Sequence, residues 1–274
     1  MTINCAGNLI DLSQPKIMGI LNITPDSFFS GSRTVEKDAV LGKAERMLKE
    51  GADFLDIGGY SSRPGAEDIS VEAELKRVLP VVELLKDSFP EALLSIDTFR
   101  SKVAEESIAA GAHVINDISA GNLDKNMIAI IAKYQVPYIM MHMKGTPQNM
   151  KDQNKYKNML QEILLDFSEK VKQAREAGIN DLIIDPGFGF AKNISQNFEL
   201  LKQLEIFKIL ELPLLAGISR KSIIYKTLNT TAENALNGTT VLNTVCLQKG
   251  ANILRVHDVK EAVECVKLMS QIKK

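Results

Sequence analysis

In this chain of 274 residues, eight short apolar runs end in side chains that could bind ligands or carry acid–base chemistry. A stretch with helical spacing follows each run. These side chains are carboxylates, amides, cations and histidines, at Asn22, Asp56, Asp97, Asn116 with Asp117, His142, Asp185, residues 217–221, and Arg255 with His257. An ordinary surface would scatter such residues, so their repeated position after an apolar run needs a structural explanation.

Strands that alternate with helices form parallel sheets, and eight such units fit a closed (β/α)₈ barrel. The active site of this fold lies at the carboxyl ends of the strands, where the polar residues would meet. We therefore predict an α/β protein consisting of one (β/α)₈ TIM-barrel domain over residues 1–274. Long loops follow its first two barrel strands, and no linker-like stretch divides the chain.

Composition argues against several other classes of protein. The net charge is −1, so the chain is not expected to bind nucleic acid or a membrane surface through overall charge. No apolar run is long enough to span a bilayer, and no secretory signal is evident. Three cysteines without metal-ligand spacing indicate reduced thiols. These features predict a cytoplasmic protein.

The segments between the strands have recognisable helix signals. Ser70 is expected to cap the second helix, and Pro80 is expected to kink or break it. A helix over residues 221–228 would follow the seventh strand. The last helix would begin at Asp258, with Glu261 completing a capping box.

Four loops, at residues 22–31, 58–66, 185–190 and 217–222, are richer in glycine, proline and hydroxyl groups than connectors need. Simple mobility is the plain interpretation of the first two. Binding is the alternative, and it is favoured because all four loops would share one rim of the barrel.

The last of these loops contains the residues of a possible anion site. Ser219 to Ser222 would stand at a helix start, and Arg255 and His257 follow the next strand. A phosphate between them fits the habit of this fold. The alternatives are an ordinary helix cap and a surface salt bridge from Arg255 or His257 to Asp258.

The three acids Asp56, Asp97 and Asp185 would each be unremarkable alone, as a cap or an arginine partner. Together on one rim they favour recognition of ligand donors or of a cation. His142 is expected to be a hydrogen-bonded rim residue. The methionines at positions 140, 141 and 143 are expected in the core, with one of them possible as a wall of the pocket.

The motifs in their order resemble those of the dihydropteroate synthase family of pterin-binding enzymes, from about residue 15 to residue 270. The segments that carry this resemblance are ILNITPDSF at 20–28, GGYSSRPGA at 58–66, SIDT at 95–98, IND at 115–117, MHMKGTP at 141–147, DPGFGF at 185–190, SRK at 219–221 and RVHD at 255–258.

The resemblance implies a transferase of folate biosynthesis. The enzyme would condense 6-hydroxymethyl-7,8-dihydropterin diphosphate with p-aminobenzoate to give 7,8-dihydropteroate and diphosphate. It implies dissociative substitution assisted by Mg²⁺, with the first two loops closing over the site. It further implies inhibition by sulfonamides and a homodimer formed through helices late in the barrel.

The resemblance also implies a role for each matching residue. The pterin would be held by Asp185, Asn116, Lys221, Asp97 and Met140. Arg255 would stack on its ring and reach the diphosphate, which His257, Ser62 and Asn22 would also contact, Asn22 as the Mg²⁺ ligand. Phe190, Pro64 and Lys221 would line the p-aminobenzoate slot, with Ser222 at its carboxylate. Gly217 and Ser219 complete the binding set, and the catalytic set is Asp97, Lys221, Arg255, His257 and Arg63.

Two positions depart from the commonest family pattern: Tyr60 stands where glutamate is usual, and Ser62 where threonine is usual. Two other functions compete, a methyltetrahydrofolate-binding methyltransferase domain and a non-catalytic pterin-binding module. The first would not need the Asn22 loop or the cations of the last two strands. The second should have lost loop residues that this chain retains.

Overall fold

The computed structural model describes residues 1–5, 7–23, 33–62 and 67–272, except for the side chains of residues 33–36. Eight parallel strands form one sheet, with each strand beside the next in the chain and the last strand beside the first. They are β3 (Lys16–Asn22), β4 (Phe54–Gly58), β5 (Leu93–Asp97), β6 (Val114–Asp117), β7 (Tyr138–Met141), β8 (Leu182–Asp185), β9 (Leu215–Ala216) and β10 (Ile253–Val256). A bridge between Ile184 and Leu214 joins β8 to β9 and closes the barrel, which confirms the predicted fold.

Helices surround this barrel in the order that the sequence predicted. They are α1 (Arg33–Glu50), α2 (Val71–Ser88), α3 (Ser101–Ala110), α4 (Met127–Tyr134), α5 (Met159–Glu176), α6 (Ile194–Lys202), α7 (Ser222–Tyr225), α8 (Leu236–Gln248) and α9 (Val259–Ile272). Short 3₁₀ segments cover Met150–Asp152 and Leu204–Leu210. Within the described ranges, no helix is long and apolar enough to cross a bilayer.

Alternation along the strands separates a helix-facing layer from the barrel interior. At the amino-terminal end the interior is an apolar layer formed by Met18, Phe54, Val114, Ile139, Ile183, Leu215 and Ile253. Two residues further along each strand, the same alternation gives the interior positions Ile20, Asp56, Asn116, Met141, Asp185, Gly217 and Arg255. The polar residues of the motifs therefore lie directly above an apolar floor.

An antiparallel hairpin, β1 (Thr2–Cys5) and β2 (Asn8–Asp11), covers the amino-terminal end of the barrel. Its Ile3 and Cys5, with Leu12 after it, belong to the same apolar cluster as the floor. The side-chain amide of Asn252 also donates to the Leu12 carbonyl at 3.0 Å. No sequence pattern predicted this hairpin, because its four-residue strands carry too few apolar residues.

The helix cap predicted at Ser70 is confirmed. The Ser70 hydroxyl accepts from the backbone N–H of Ala73 and caps α2. Gly111 ends α3 in the left-handed conformation, with φ of 114°.

Neither a helix break at Pro80 nor a helix that runs to residue 228 is formed. Helix α2 runs through Pro80 without a break; Pro80 is exposed, so water can bind the carbonyl that lacks an N–H partner. The segment after β9 forms only the single turn Ser222–Tyr225 instead of a helix to residue 228.

We expect the hairpin to be part of the cooperative fold. Ile3→Ala removes a side chain that is 1% exposed, so it should lower the free energy of unfolding by about 2–4 kcal/mol. Leu9→Ala, in the same hairpin but 74% exposed, should change it by less than about 0.5 kcal/mol. Urea titration of both variants measures this, and equal stabilities would mean that the hairpin contributes nothing to the closed barrel.

Candidate active site

Arg255 lies at the centre of the carboxyl end of the barrel and contacts two acids. Its Nε donates to Asp56 Oδ2 at 2.6 Å, and its Nη2 donates to Asp97 Oδ2 at 2.7 Å. Asp56 also accepts from the hydroxyl of Ser95 at 2.6 Å and from the side-chain amide of Asn116 at 3.1 Å. One guanidinium on β10 thus orders side chains from three other strands, β4, β5 and β6.

Burial sets the electrostatics of this group. Burial works against the charge on Arg255, but Asp56 and Asp97 together raise the pKa of Arg255 above its ordinary value. Burial raises the pKa of Asp97 well above that of an exposed aspartate, and Arg255 opposes this shift. The guanidinium therefore stays charged, while Asp97 is an acid whose proton affinity the site increases.

Asp185 and Lys221 form a second group on the opposite side of the barrel. Asp185 Oδ1 accepts from the backbone N–H of Gly187 at 2.8 Å. Burial raises the pKa of Asp185, and the charge of Lys221 opposes the rise. Burial lowers the pKa of Lys221 to about 8, with Asp185 acting against it. The Lys221 ammonium donates to the carbonyl of Phe188 and lies 4.7 Å from the centre of the Phe190 ring.

Gly217 lies between the two groups. A Cβ atom there would come within 3.8 Å of Arg255 Cβ and 3.9 Å of Asp185 Oδ2. Glycine at this interior position leaves open the space that a side chain would fill. Charged groups from both sides therefore face a common volume, which a flat polar ligand could occupy.

Ser219 and His257 form one wall beyond Gly217. The Ser219 hydroxyl accepts from the backbone N–H of His257 at 3.2 Å and lies 3.1 Å from the Nδ1 atom of that histidine. Burial, with Arg255 nearby, lowers the pKa of His257 to about 4. The imidazole is therefore neutral near pH 7 and binds through hydrogen bonds instead of charge.

Arg220 does not join the predicted anion site. It donates to both oxygens of Asp258 at 2.8 Å and to the carbonyls of Ala232 and Glu233. The salt bridge considered for Arg255 and His257 is thus made by Arg220. The single turn of α7 also gives Ser222 a much smaller helix dipole than the predicted helix would.

Asn22 ends β3 beside the Asp97 carboxylate. A Cβ atom on Gly58 would lie 3.5 Å from the side-chain oxygen of Asn22 and 3.8 Å from Asp97 Oδ2. In the described part of the chain, no three histidine, cysteine or acidic side chains are grouped as a metal cage would require. A Mg²⁺ ion with one or two protein oxygens, waters and substrate phosphates needs no such cage, so the donors here fit that kind of ion.

One assignment to the pocket was wrong. Met140 packs in the helix-facing layer with Tyr138 and Ile184, because it is out of phase with the interior residue Ile139. Met141 lies on the interior face, in a cluster with Met143 and Phe190. Ser62 is half-buried in the loop after β4, whereas Arg63 and Pro64 lie outside the described residues.

Sequence reasoning undervalued Asp56 and did not single out Lys192. The run Phe54–Leu55 stops at Asp56, but the strand continues to Gly58, so Asp56 is fully buried inside the barrel. An acid within an apolar run was the available signal. Lys192 follows the DPGFGF motif after one intervening residue, Ala191, and nothing in its spacing distinguishes it from a surface lysine.

The Arg255 group predicts a pH-dependent loss of stability. Arg255→Met leaves Asp56 and Asp97 buried without their cation, at a cost of about 1–3 kcal/mol near pH 8. Burial already raises the pKa of Asp97 in the wild type, where Arg255 opposes the rise. In the folded variant the pKa of Asp97 therefore lies above its value in the unfolded chain, so its contribution to stability is fullest below about pH 4 and is lost as the pH rises. The difference from wild type should therefore be smaller at pH 5 than at pH 8 in urea unfolding. Arg220→Met is the control for loss of an arginine, and identical pH profiles for the two variants would refute this account.

Comparisons with known proteins agree with this geometry. The family model described as "Pterin binding enzyme" matches residues 18–257. The chain is 41% identical over 271 residues to the dihydropteroate synthase of Escherichia coli K12, covering 98% of this chain and 95% of that protein.

Two solved structures are similar over nearly the whole chain. One is the dihydropteroate synthase of Yersinia pestis in complex with a sulfonamide drug, at a TM-score of 0.92 and 41% identity, covering 100% of this chain and 99% of that one. The other is the Xanthomonas albilineans enzyme with 4-aminobenzoic acid, at a TM-score of 0.92 and 38% identity, covering 99% and 98% of the two chains. This chain therefore belongs to the dihydropteroate synthases, transferases of the pterin-binding enzyme family.

Proposed function

We propose that this protein condenses 6-hydroxymethyl-7,8-dihydropterin diphosphate with p-aminobenzoate, giving 7,8-dihydropteroate and diphosphate. The observation that carries the proposal is the buried, charged interior around Gly217, in a chain of this family. Asp185 and Asn116 face the volume as buried acceptors and donors. A pterin presents the complementary donors and acceptors along one edge.

The pterin lies between Arg255 and the Asp185 side of the barrel. Asp185 accepts from its amino and ring N–H groups, and Lys221 donates to its carbonyl. The planar guanidinium of Arg255 covers the ring face, which a lysine could not do. Asp97 and Asp56 hold that guanidinium in place through hydrogen bonds of 2.7 and 2.6 Å.

The diphosphate lies toward Asn22, Ser62 and His257. Asn22 would hold Mg²⁺ through its side-chain oxygen, and the ion would supply positive charge to neutralise the leaving diphosphate. In the neutral tautomer in which Nδ1 accepts from the Ser219 hydroxyl, the Nε2–H of His257 donates a hydrogen bond to a phosphate oxygen. Arg63, from the loop after β4, supplies a further cation.

Reaction begins when the bond between the pterin methylene carbon and the diphosphate oxygen breaks, and the electron pair leaves with diphosphate. The pterin ring delocalises the positive charge. The amine of p-aminobenzoate then forms the new C–N bond and releases a proton. Phe190 lines its slot, Lys221 lies against the Phe190 ring, and Ser222 receives its carboxylate. The family resemblance adds Pro64, which lies outside the described residues. Sulfonamides compete for the same slot.

The decisive assay measures release of diphosphate. Purified protein with Mg²⁺ and the pterin diphosphate should release it at a rate that depends on p-aminobenzoate, with dihydropteroate formed in equal amount. A methyltransferase domain or a pterin-binding module would release none. Binding of the pterin without turnover would therefore sink the proposed reaction.

Asp185→Asn should weaken pterin binding. The change replaces an acceptor oxygen with a donor and leaves a buried mismatch of about 1–3 kcal/mol, roughly 5- to 150-fold in affinity. Calorimetric titration with 6-hydroxymethylpterin measures it. Asp181→Asn, just before the amino end of the same strand, is the matched control and should bind as wild type does. Unchanged affinity in Asp185→Asn would remove Asp185 from the pterin site.

We further propose that the protein is a cytoplasmic homodimer. Large apolar side chains on the last two helices support this: Val241 is 52% exposed on α8, and Leu268 is 69% exposed on α9. Free, buried Cys5, Cys246 and Cys265 fit a reducing compartment. Light scattering of the purified chain distinguishes the dimer from a monomer.

A further inference from the structure

Lys192 is a buried lysine whose ammonium points into the loop after β8. Its side chain is surrounded by protein, and the residue is 8% exposed. The Nζ atom donates to the carbonyl of Gly187 at 3.0 Å and to that of Phe190 at 3.1 Å, and it lies 3.2 Å from His142 Nδ1. A lysine is rarely buried without such partners, so these contacts require an explanation.

The three contacts can form in either protonation state of Lys192. A charged ammonium has three hydrogens for the two carbonyls and for the imidazole nitrogen. A neutral amine has two hydrogens for the carbonyls and a lone pair for an N–H at Nδ1. Burial holds the pKa of His142 well below its ordinary value, so the imidazole is neutral and either tautomer is available. The contacts to Gly187 and Phe190 therefore do not depend on a particular pH.

The turn that Lys192 holds has few ways to satisfy its own backbone. Residues 186–191 form the turn that connects β8 to the residues before α6. Side chains from elsewhere bind several polar backbone atoms of this turn. Gly187 N–H donates to Asp185, and Gly189 N–H donates to Asn197 at 2.6 Å. The carbonyl of Ala191 accepts from the Tyr156 hydroxyl at 3.0 Å. Lys192 supplies the donors for the remaining inner carbonyls, those of Gly187 and Phe190.

Gly187 shows how closely the turn packs. It has φ of 72°, and a Cβ atom there would collide with the backbone carbonyl of His142. The turn therefore packs closely against His142, which follows β7. The Lys192 ammonium donates hydrogen bonds to two of its carbonyls. Without those donors, the Phe190 carbonyl would lose its lysine partner, and the Gly187 carbonyl would keep only the Phe190 N–H at 3.2 Å, so the turn would move to hydrate them.

We propose that Lys192 is a positioning residue that sets the p-aminobenzoate slot by fixing the carbonyls of Gly187 and Phe190. The inference rests on the proposed function for its catalytic consequence, because Phe190 lines that slot there. The backbone of Asp185 belongs to β8 and is held by the sheet, and its carboxylate also accepts from the Gly187 N–H of the turn. The pterin site therefore depends less on Lys192 than the slot at Phe190 does. The two substrates should therefore respond differently to loss of this side chain.

Lys192→Met tests the proposal, since methionine keeps a similar length and removes the donors. The KM for p-aminobenzoate should rise by about tenfold or more, as expected when a slot residue shifts. The Kd for 6-hydroxymethylpterin should change by less than about threefold. Hydrogen exchange of backbone amides 187–191 in the ligand-free protein should accelerate by on the order of tenfold.

Lys170→Met is the matched control. Lys170 is another buried lysine, 6% exposed, but it pairs with Asp166 within α5. Its loss should leave the KM, the Kd and the exchange of amides 187–191 within about twofold of wild type. The control removes a buried ammonium without removing a donor to the turn.

The outcomes separate this proposal from the proposed function. Unchanged exchange and unchanged KM in Lys192→Met would overturn the positioning role. Equal losses for both substrates, with a lowered Tm, would also overturn it and make Lys192 a general support of the fold. If the wild-type protein forms no dihydropteroate, the proposed function fails, and the exchange measurement still decides whether Lys192 fixes the turn.

Discussion

In a closed parallel barrel, the side chain of every second strand residue has nowhere to go except the interior. That constraint governs the rest of this molecule. The interior begins with an apolar floor, and the hairpin of β1 and β2 seals it from below. Two residues further along each strand, the same alternation of side chains places four polar residues in the interior: Asp56, Asn116, Asp185 and Arg255. A shift of one residue in any strand would exchange its polar side chain for one of the helix-facing layer.

Placing charges in that volume is costly, and the structure offsets the cost by matching them. Asp56 and Asp97 share Arg255 through hydrogen bonds of 2.6 and 2.7 Å. Asp185 faces Lys221, whose pKa burial lowers to about 8. Such buried groups add little net stability compared with apolar packing. Their value lies in fixed donors and acceptors that need no rearrangement when a ligand arrives.

Tyr60 illustrates how the loop after β4 is supported where this chain departs from the commonest family pattern. Its ring meets Phe99 edge-on at 5.1 Å and lies 5.1 Å from the Arg100 guanidinium. Its hydroxyl accepts from Gln148 at 2.7 Å. Arg100 in turn pairs with buried Glu74 at 2.9 Å. An aromatic ring covered by arginine therefore stands where glutamate is usual, and Gln148 links the loop to the one after β7.

The sequence by itself determined the number and order of strands, the parallel sheet, and the end of the barrel at which the polar residues gather. Those features follow from local periodicity and from motifs that are continuous in the chain. It also indicated Asp97, Asn116, Asp185 and Arg255, because each directly ends or follows an apolar run, and Lys221, which ends the polar stretch 217–221 after the seventh run.

The tertiary structure decided which of these residues touch and which side of a strand each one faces. Met140 and Met141 are adjacent residues of the same type. The alternation of side chains along β7 places Met141, and not Met140, in the barrel interior. Asp56 and Arg255 are 199 residues apart, and only closure of the barrel joins them. The residues around Lys192 give no sign that it is buried. Its burial depends on how the turn after β8 packs against a neighbouring strand. Contacts between distant segments depend on register and closure, which no local pattern contains.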